Sequence, residues 1–137
     1  MSLAKKMYLT ESDLVPCVNP PKDLDLGDIR SEARSFAEAK SLVLSGSAKS
    51  MFVFVHSAAE LEKQLADLEE LWGKGKSFWV FYPKASALPT DLSRDKTWKL
   101  MRQVGMMGTR QVAVGESWSC MYFKNSGKSD YVEILAD

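Results

Sequence analysis

Phe78-Trp-Val-Phe-Tyr-Pro-Lys84 decides the reading of this chain. An unbroken run of aromatic and β-branched residues, apolar on both faces of an extended segment, suits a central strand covered from both sides. Proline has no amide to give to a sheet ladder, so the strand must stop at Pro83 and leave Lys84 at its carboxyl edge. Open α/β sheets bind their ligands along that edge.

Just upstream, Leu61, Leu65, Leu68 and Trp72 recur at helical spacing and mark one face of a helix from Ala58 to Trp72. Ser57 and Glu60 have the spacing of a capping box at its start, and Gly73 and Gly75 stop it. Met51 to Val55 reads as a buried strand before the helix. The result is a strand–helix–strand unit, with 51–55 and 78–82 expected as parallel neighbours or near-neighbours. Downstream, Asp91 or Ser93 caps a second helix with Trp98, Met101 and Val104 facing inward, closed by Gly105 and Gly108. Gln111 to Val114 is a further strand, and Trp118 to Lys124 alternates as a half-exposed edge strand would. Gly115-Glu116-Ser117 is too short a link for a parallel crossover, so these two form an antiparallel hairpin. A loop at 126–129 leads to a small strand within Tyr131 to Leu135.

The N-terminal half is harder to read. Asp13 to Val18 is a short strand despite Pro16, broken by Asn19-Pro20-Pro21-Lys22. Asp23 to Arg30 reads as a loop or a single helical turn. Ser31 to Lys40 has helix propensity without a clear apolar face, and Ser41 to Leu44 fits either a strand or the end of that helix. Gly46-Ser47 marks a turn. Residues 1–12 form an N-terminal arm, flexible or in part of non-native origin, since Met1-Ser2-Leu3 is the kind of start a vector leaves. The expectation is a single domain over 1–137 of the α/β class, three-layer and Rossmann-like. Its sheet is mostly parallel with a C-terminal antiparallel hairpin. Phe52, Phe54, Leu61, Leu65, Leu68, Trp79, Phe81 and Val112 are the expected core.

Composition narrows the function. A chain of 137 residues with 45% hydrophobic and 26% charged residues suits one ordinary globular domain. Lys+Arg and Asp+Glu are both 18, so no overall positive charge draws the chain to nucleic acid or to an anionic membrane. No apolar run is long enough to span a bilayer, and Met1 to Lys6 lacks the apolar segment of a signal peptide. Cys17 and Cys120 both fall in expected strands, which favours two buried thiols in a reducing cytoplasm over a disulfide.

From Met51 to Lys124 the chain resembles an uncharacterised bacterial family known as domain of unknown function 3052. The resemblance rests on the buried strand before His56, on Ala59-Glu60-Leu61, and on Trp79 with Tyr82-Pro83-Lys84. It continues through Thr90-Asp91-Leu92, the Gly105 to Gly108 turn, Val112-Ala113-Val114 and Trp118-Ser119. It implies a short Rossmann-type α/β domain and brings no activity with it. The order of elements also resembles the carboxyl half of a class I methyltransferase. That second likeness fails at the first strand, where a cofactor-binding domain needs a glycine-rich turn and this chain has Val18-Asn19-Pro20-Pro21-Lys22. Neither a dinucleotide nor S-adenosylmethionine is expected to bind, and no cofactor is expected.

Among residues that carry chemistry, His56 follows a strand and precedes a helix start, a position for a base or proton shuttle, or for a loop histidine bonded to backbone. Lys84 and Lys22 each follow a proline at a strand end. With Ser57 and His56 they could gather a carboxylate or phosphate near helix amides, or merely solubilise the sheet edge. Thr90, Asp91 and Ser93 read as helix caps, Trp118 as a pocket lid or a packing anchor. Ser119 lacks a nucleophile elbow. Gly127-Lys128-Ser129 lacks the spacing of a phosphate loop. One histidine and two strand cysteines do not make a metal site. The leading reading is a non-catalytic module that binds a small anion or a protein, with Lys84, His56, Ser57 and Lys22 as its ligand residues. The alternative is a small enzyme acting on an anionic substrate, with His56 as acid/base. A third reading is a homodimer formed through the C-terminal strand bearing Trp118, Met121 and Phe123.

Overall fold

Four parallel strands build the first part of a sheet that an antiparallel hairpin then extends. The computed structural model describes residues 2–125 together with the backbone of 133–135. The strands are β1 (Leu14–Val18), β2 (Arg30–Ala33), β3 (Phe52–Phe54), β4 (Phe78–Pro83), β5 (Gly108–Val114), β6 (Trp118–Phe123) and β7 (Glu133–Leu135), in the spatial order β2-β1-β3-β4-β6-β5-β7. The β2–β1, β1–β3, β3–β4 and β5–β7 pairs are parallel; β4–β6 and β6–β5 are antiparallel. The helices are α1 (Leu3–Lys6), α2 (Phe36–Leu44), α3 (Ala58–Gly73) and α4 (Arg94–Gln103). The molecule is thus an α/β protein with a mixed, mostly parallel sheet and an antiparallel C-terminal pair. The strand–helix–strand unit stands as expected: Phe52, Val53 and Phe54 register against Trp79, Val80 and Phe81, with α3 between the strands.

Strand alternation sends side chains to two separate cores. Val53, Val55, Phe78, Val80, Tyr82, Met121 and Phe123 face one cluster, which buried residues of α2, α3 and α4 complete. Phe52, Phe54, Trp79, Phe81, Val112, Val114 and Cys120 face the other. No helix of comparable length covers that second face among the described residues. It is closed by Ala4, Met7 and Leu9 of the N-terminal arm and by Leu24, Leu26 and Ile29 of the loop after β1. Phe81 stacks on Phe54 there, with ring centroids 4.2 Å apart.

The arm is therefore packed on the sheet. The Ala4 amide donates to Asp28 Oδ1 at 3.0 Å, and Arg110 Nη1 donates to the Lys6 carbonyl at 2.9 Å. The Arg110 guanidinium also lies 4.4 Å from the centroid of the Tyr8 ring, which packs on Tyr122.

The two faces are divided by the direction of the chain. From β1 the chain steps outward to β2, with its loop on the second face. It then returns past β1 to β3 and on to β4 with α2 and α3 on the first. A crossover of fixed hand changes face when it changes direction, so the division follows from strand order. It also leaves a switch point between β1 and β3, where the two connections depart to opposite sides.

Several expectations are corrected. Residues 31–33 belong to strand β2, and helix α2 runs from Phe36 to Leu44, so 41–44 is the helix end. Its start is a complete capping box between Ser35 and Glu38. At α3, Ser57 accepts from the Glu60 amide, but Glu60 Oε2 reaches back to the His56 amide instead of closing the box on Ser57. Leu65 is only half-buried, and Leu71 takes its place in the core. Pro16 is tolerated because pairing of β1 with β3 begins only at Cys17. The strand expected at an edge, β6, is flanked by β4 and β5 and buried at all but Tyr122. Both of its ladders are taken, so a dimer built by strand pairing through β6 has no free edge to use. The loop expected at 126–129 lies outside the described residues.

Candidate functional site

The carboxyl ends of β1, β3 and β4 open onto a cleft of about 530 Å³. Four segments form its walls: 21–25 after β1, His56 after β3, Leu88-Pro89 after β4, and the 115–118 turn of the hairpin. The hairpin turn belongs there because β6 runs antiparallel to β4. Trp118 pairs with Pro83, so the start of β6 and the turn before it lie at the carboxyl end of β4. The cleft thus sits at the sheet edge and beside the switch point, the position at which open α/β sheets hold ligands.

His56 is held by its backbone. Its amide donates to Glu60 Oε2 at 3.0 Å, and its carbonyl accepts from Thr90 Oγ1 at 2.8 Å. The imidazole is half-exposed, with Nδ1 3.8 Å from Glu60 Oε1 and the ring set edge-on to Trp118 at 5.1 Å. Trp118 is almost fully buried and also meets Phe54 edge-on at 5.4 Å, so it joins the cleft to the core. It acts both as lining and as packing anchor. Leu24 and Leu88 give the cleft apolar walls, while Asp23, Asp25 and Glu116 give it acidic ones. Among the described residues, no lysine or arginine lines it.

Of the four expected ligand residues, only His56 lines the cleft. Lys84 is half-buried and donates from Nζ to the Gly115 carbonyl at 3.1 Å, while its amide donates to the Ser117 carbonyl. It braces the hairpin turn. Ser57 is occupied as the N-cap of α3. Lys22 is exposed and lies between two lining residues without lining the cleft itself. The helix start expected to help hold an anion already has one from the protein: Asp91 Oδ1 accepts from the Ala58 amide at 2.8 Å. Asp91 thus caps α3 from a distant loop, and Ser93 is the cap of α4.

At the first strand end, Asn19 takes the left-handed conformation, with φ at 60°, that a glycine would otherwise supply. Pro20 and Pro21 come next, without free amides, and the chain runs into a loop until β2. The β1 end therefore presents no helix N-terminus to a pyrophosphate.

The two thiols are buried. Cys17 and Cys120 are free thiols, and burial pushes Cys17 up to about 12 and Cys120 well above its usual value. Neither is available as a thiolate. Among the described residues, no three histidine, cysteine or acidic side chains are grouped so as to hold a metal ion. No helix among them is long and apolar enough to cross a membrane. A second hollow, of about 710 Å³, lies on the helical face between α2 and α3. Its Lys40 is already bridged to Asp67 and Glu70 at 2.8 and 2.6 Å.

Against known proteins, the chain matches no family model and no curated relative. The sequence signals that mattered for the cleft were His56 and the proline at each strand end. Asp23, Asp25 and Glu116 carried no signal of their own, because only the strand order brings their loops to one edge.

Proposed function

We propose that this protein is a non-catalytic binding module whose ligand enters the cleft at the carboxyl ends of β1, β3 and β4. The observation that carries the reading is the coincidence of that cleft with the switch point between β1 and β3. Around it, the described residues offer no activated nucleophile: the thiols are buried, and the lysine at the edge is committed to the Gly115 carbonyl. The same reading covers membership in the uncharacterised family whose motifs the 51–124 segment resembles, and a bacterial cytoplasmic setting in which both thiols stay reduced. It treats the fold as a Rossmann-like three-layer design whose second helical layer is reduced to α1 and the 19–29 loop.

Small anions and protein segments are the two ligand classes expected from the sequence. The lining includes neither Lys84 nor Lys22 as a clamp, and its acidic residues number three, Asp23, Asp25 and Glu116. The competing reading is an enzyme that uses His56 as acid/base. The Glu60 carboxylate, 3.8 Å from Nδ1, is the feature that favours it, since a nearby negative charge stabilises an imidazolium.

Amide-resonance mapping of a small-molecule library tests the proposal. Binders should move the amides of residues 22–25, 56–57, 88 and 115–118 together, and Trp118→Ala should abolish those shifts. Binding that survives His56→Ala, with no chemical change in the ligand, supports the module. Conversion of a bound ligand that stops with His56→Ala favours the enzyme. Perturbations confined to the α2–α3 hollow refute both.

A further inference from the structure

The charge and shape of the cleft select a class of ligand. We infer that it accepts an organic cation, a primary or substituted ammonium ion carrying a flat apolar body, an inference that rests on reading the cleft as the binding site.

Three features converge on that class. First, among the described residues the lining carries Asp23, Asp25 and Glu116 and no basic side chain other than the imidazole of His56. The Lys84 ammonium, held on the Gly115 carbonyl beside the cleft, offsets part of that field, and Lys22 lies outside the lining. The balance remains negative, so a monocation is favoured and a phosphate or carboxylate is repelled. Second, the acidic groups are spread along separate loops, and no three of them group with each other or with His56 as metal ligands would. A dispersed negative field suits a diffuse organic cation better than a small hard metal ion, which needs several oxygens converging on one point. Third, Leu24, Leu88, Pro21 and Pro89 provide apolar surface, and His56 stands edge-on against Trp118 as a rigid aromatic wall. A cavity of about 530 Å³ has room for a ring as well as a charged head.

The placement of the acids agrees with this division. Asp25 Oδ1 is partly committed, since it accepts from the Gly27 amide at 2.7 Å and stabilises the turn there. Asp23 lines the cleft from the loop after β1 and Glu116 from the hairpin turn, so the two bring negative charge to it from separate segments.

The test uses three probes of matched shape: 2-phenylethylammonium, 2-phenylethanol and phenylacetate. Each is titrated into the full chain at low salt and followed by amide resonances. The ammonium ion should bind about five-fold tighter than the alcohol, as expected for a few exposed charge pairs, and phenylacetate should bind weakest. That preference should shrink at 0.3 M salt, roughly the range over which exposed charges are screened. The double variant Asp23→Asn, Glu116→Gln should bring ammonium and alcohol to equal affinity, while alcohol binding and thermal stability are retained. Asp25 is left intact to preserve its turn. Equal binding of all three probes in the native protein, or preference for phenylacetate, overturns the cation assignment and leaves the binding cleft standing. Silence at the amides of residues 22–25, 56–57, 88 and 115–118 with all three overturns the cleft itself.

Discussion

Asp91 Oδ1 accepts a hydrogen bond from the Ala58 amide at 2.8 Å, so the loop after β4 caps the helix that precedes that strand. Thr90 reinforces the tie by donating to the His56 carbonyl at 2.8 Å. The two contacts fix the start of α3 to the loop whose residues Leu88 and Pro89 wall the cleft. Asp91→Ala should lower stability by about 1 kcal/mol, the usual worth of an N-cap acceptor. Asp91→Asn, which keeps an acceptor, should lose less. Thermal denaturation measures both losses, and the Ala58 amide should exchange faster in the alanine variant. Unchanged exchange at Ala58 would show that the contact does not hold the helix start.

How far the chain could be read from its residues depended on burial. β4 and α3 were legible because their apolar residues answer to a core on known sides. β2 was not: all of Arg30 to Ala33 is exposed at the sheet edge, so no hydrophobic pattern marks it. The capping box of Ser35 and Glu38 starts α2 in the structure, whereas the helix propensity of 31–40 draws the expected start too far upstream. β6 misled for the opposite reason. Its mix of polar and apolar residues suggests a half-exposed strand, whereas pairing on both sides buries every residue but Tyr122. The cleft was legible as an edge and at His56. Its acidic lining depends on β6 being inserted between β4 and β5, a long-range choice that no local period encodes.

Gly108 sits where any side chain would collide with the core. A Cβ there would lie 2.3 Å from Met121 Sδ and 2.6 Å from Met121 Cγ, and Met121 is fully buried. The requirement is for space, since the backbone of Gly108 is not left-handed. Gly108→Ala should destabilise by roughly 1–3 kcal/mol, the range for overpacking a filled core. Combined with Met121→Ala, its cost should fall well below that of the single change, because the obstructing atoms are gone. Denaturant unfolding of the four proteins in the cycle measures the coupling. Strict additivity would show that Gly108 is needed for some other reason.

Burial of the thiols sets an alkaline limit on stability. Cys17 ionises near 12 in the folded protein against 9.0 ordinarily, and burial raises Cys120 well above its ordinary value too. The folded values are raised, so their contribution is fully present below about 9. It is lost as pH climbs toward the folded values, because the unfolded chain releases its protons first. Cys17→Ala, Cys120→Ala should flatten the decline in unfolding free energy between about pH 9 and 11, as measured by urea denaturation. At about pH 8 a thiol reagent should label neither cysteine in the native state and both in urea. Rapid labelling of native Cys17 would contradict its burial in the core.

The same carboxyl edge that forms the cleft should reject the dinucleotide cofactors usual for this kind of sheet. Asn19 meets the demand for a left-handed residue at the end of β1, with φ at 60°, so backbone conformation is not what excludes them. The exclusion comes from the residues after Asn19. Pro20 and Pro21 have no amide hydrogens, and the chain enters a loop instead of a helix before β2. A pyrophosphate would find neither the donors nor the helix dipole that usually hold it, and would meet Asp23 and Asp25 in the same segment. Titration calorimetry with NAD should therefore give no heat of binding at micromolar to low millimolar concentration. Pro20→Gly, Pro21→Gly alone should not create a site, because the helix N-terminus would still be missing. Micromolar binding of NAD to the native chain, lost on changing Pro21 or Lys22, would mean that the loop after β1 rearranges to supply amides that this conformation does not present.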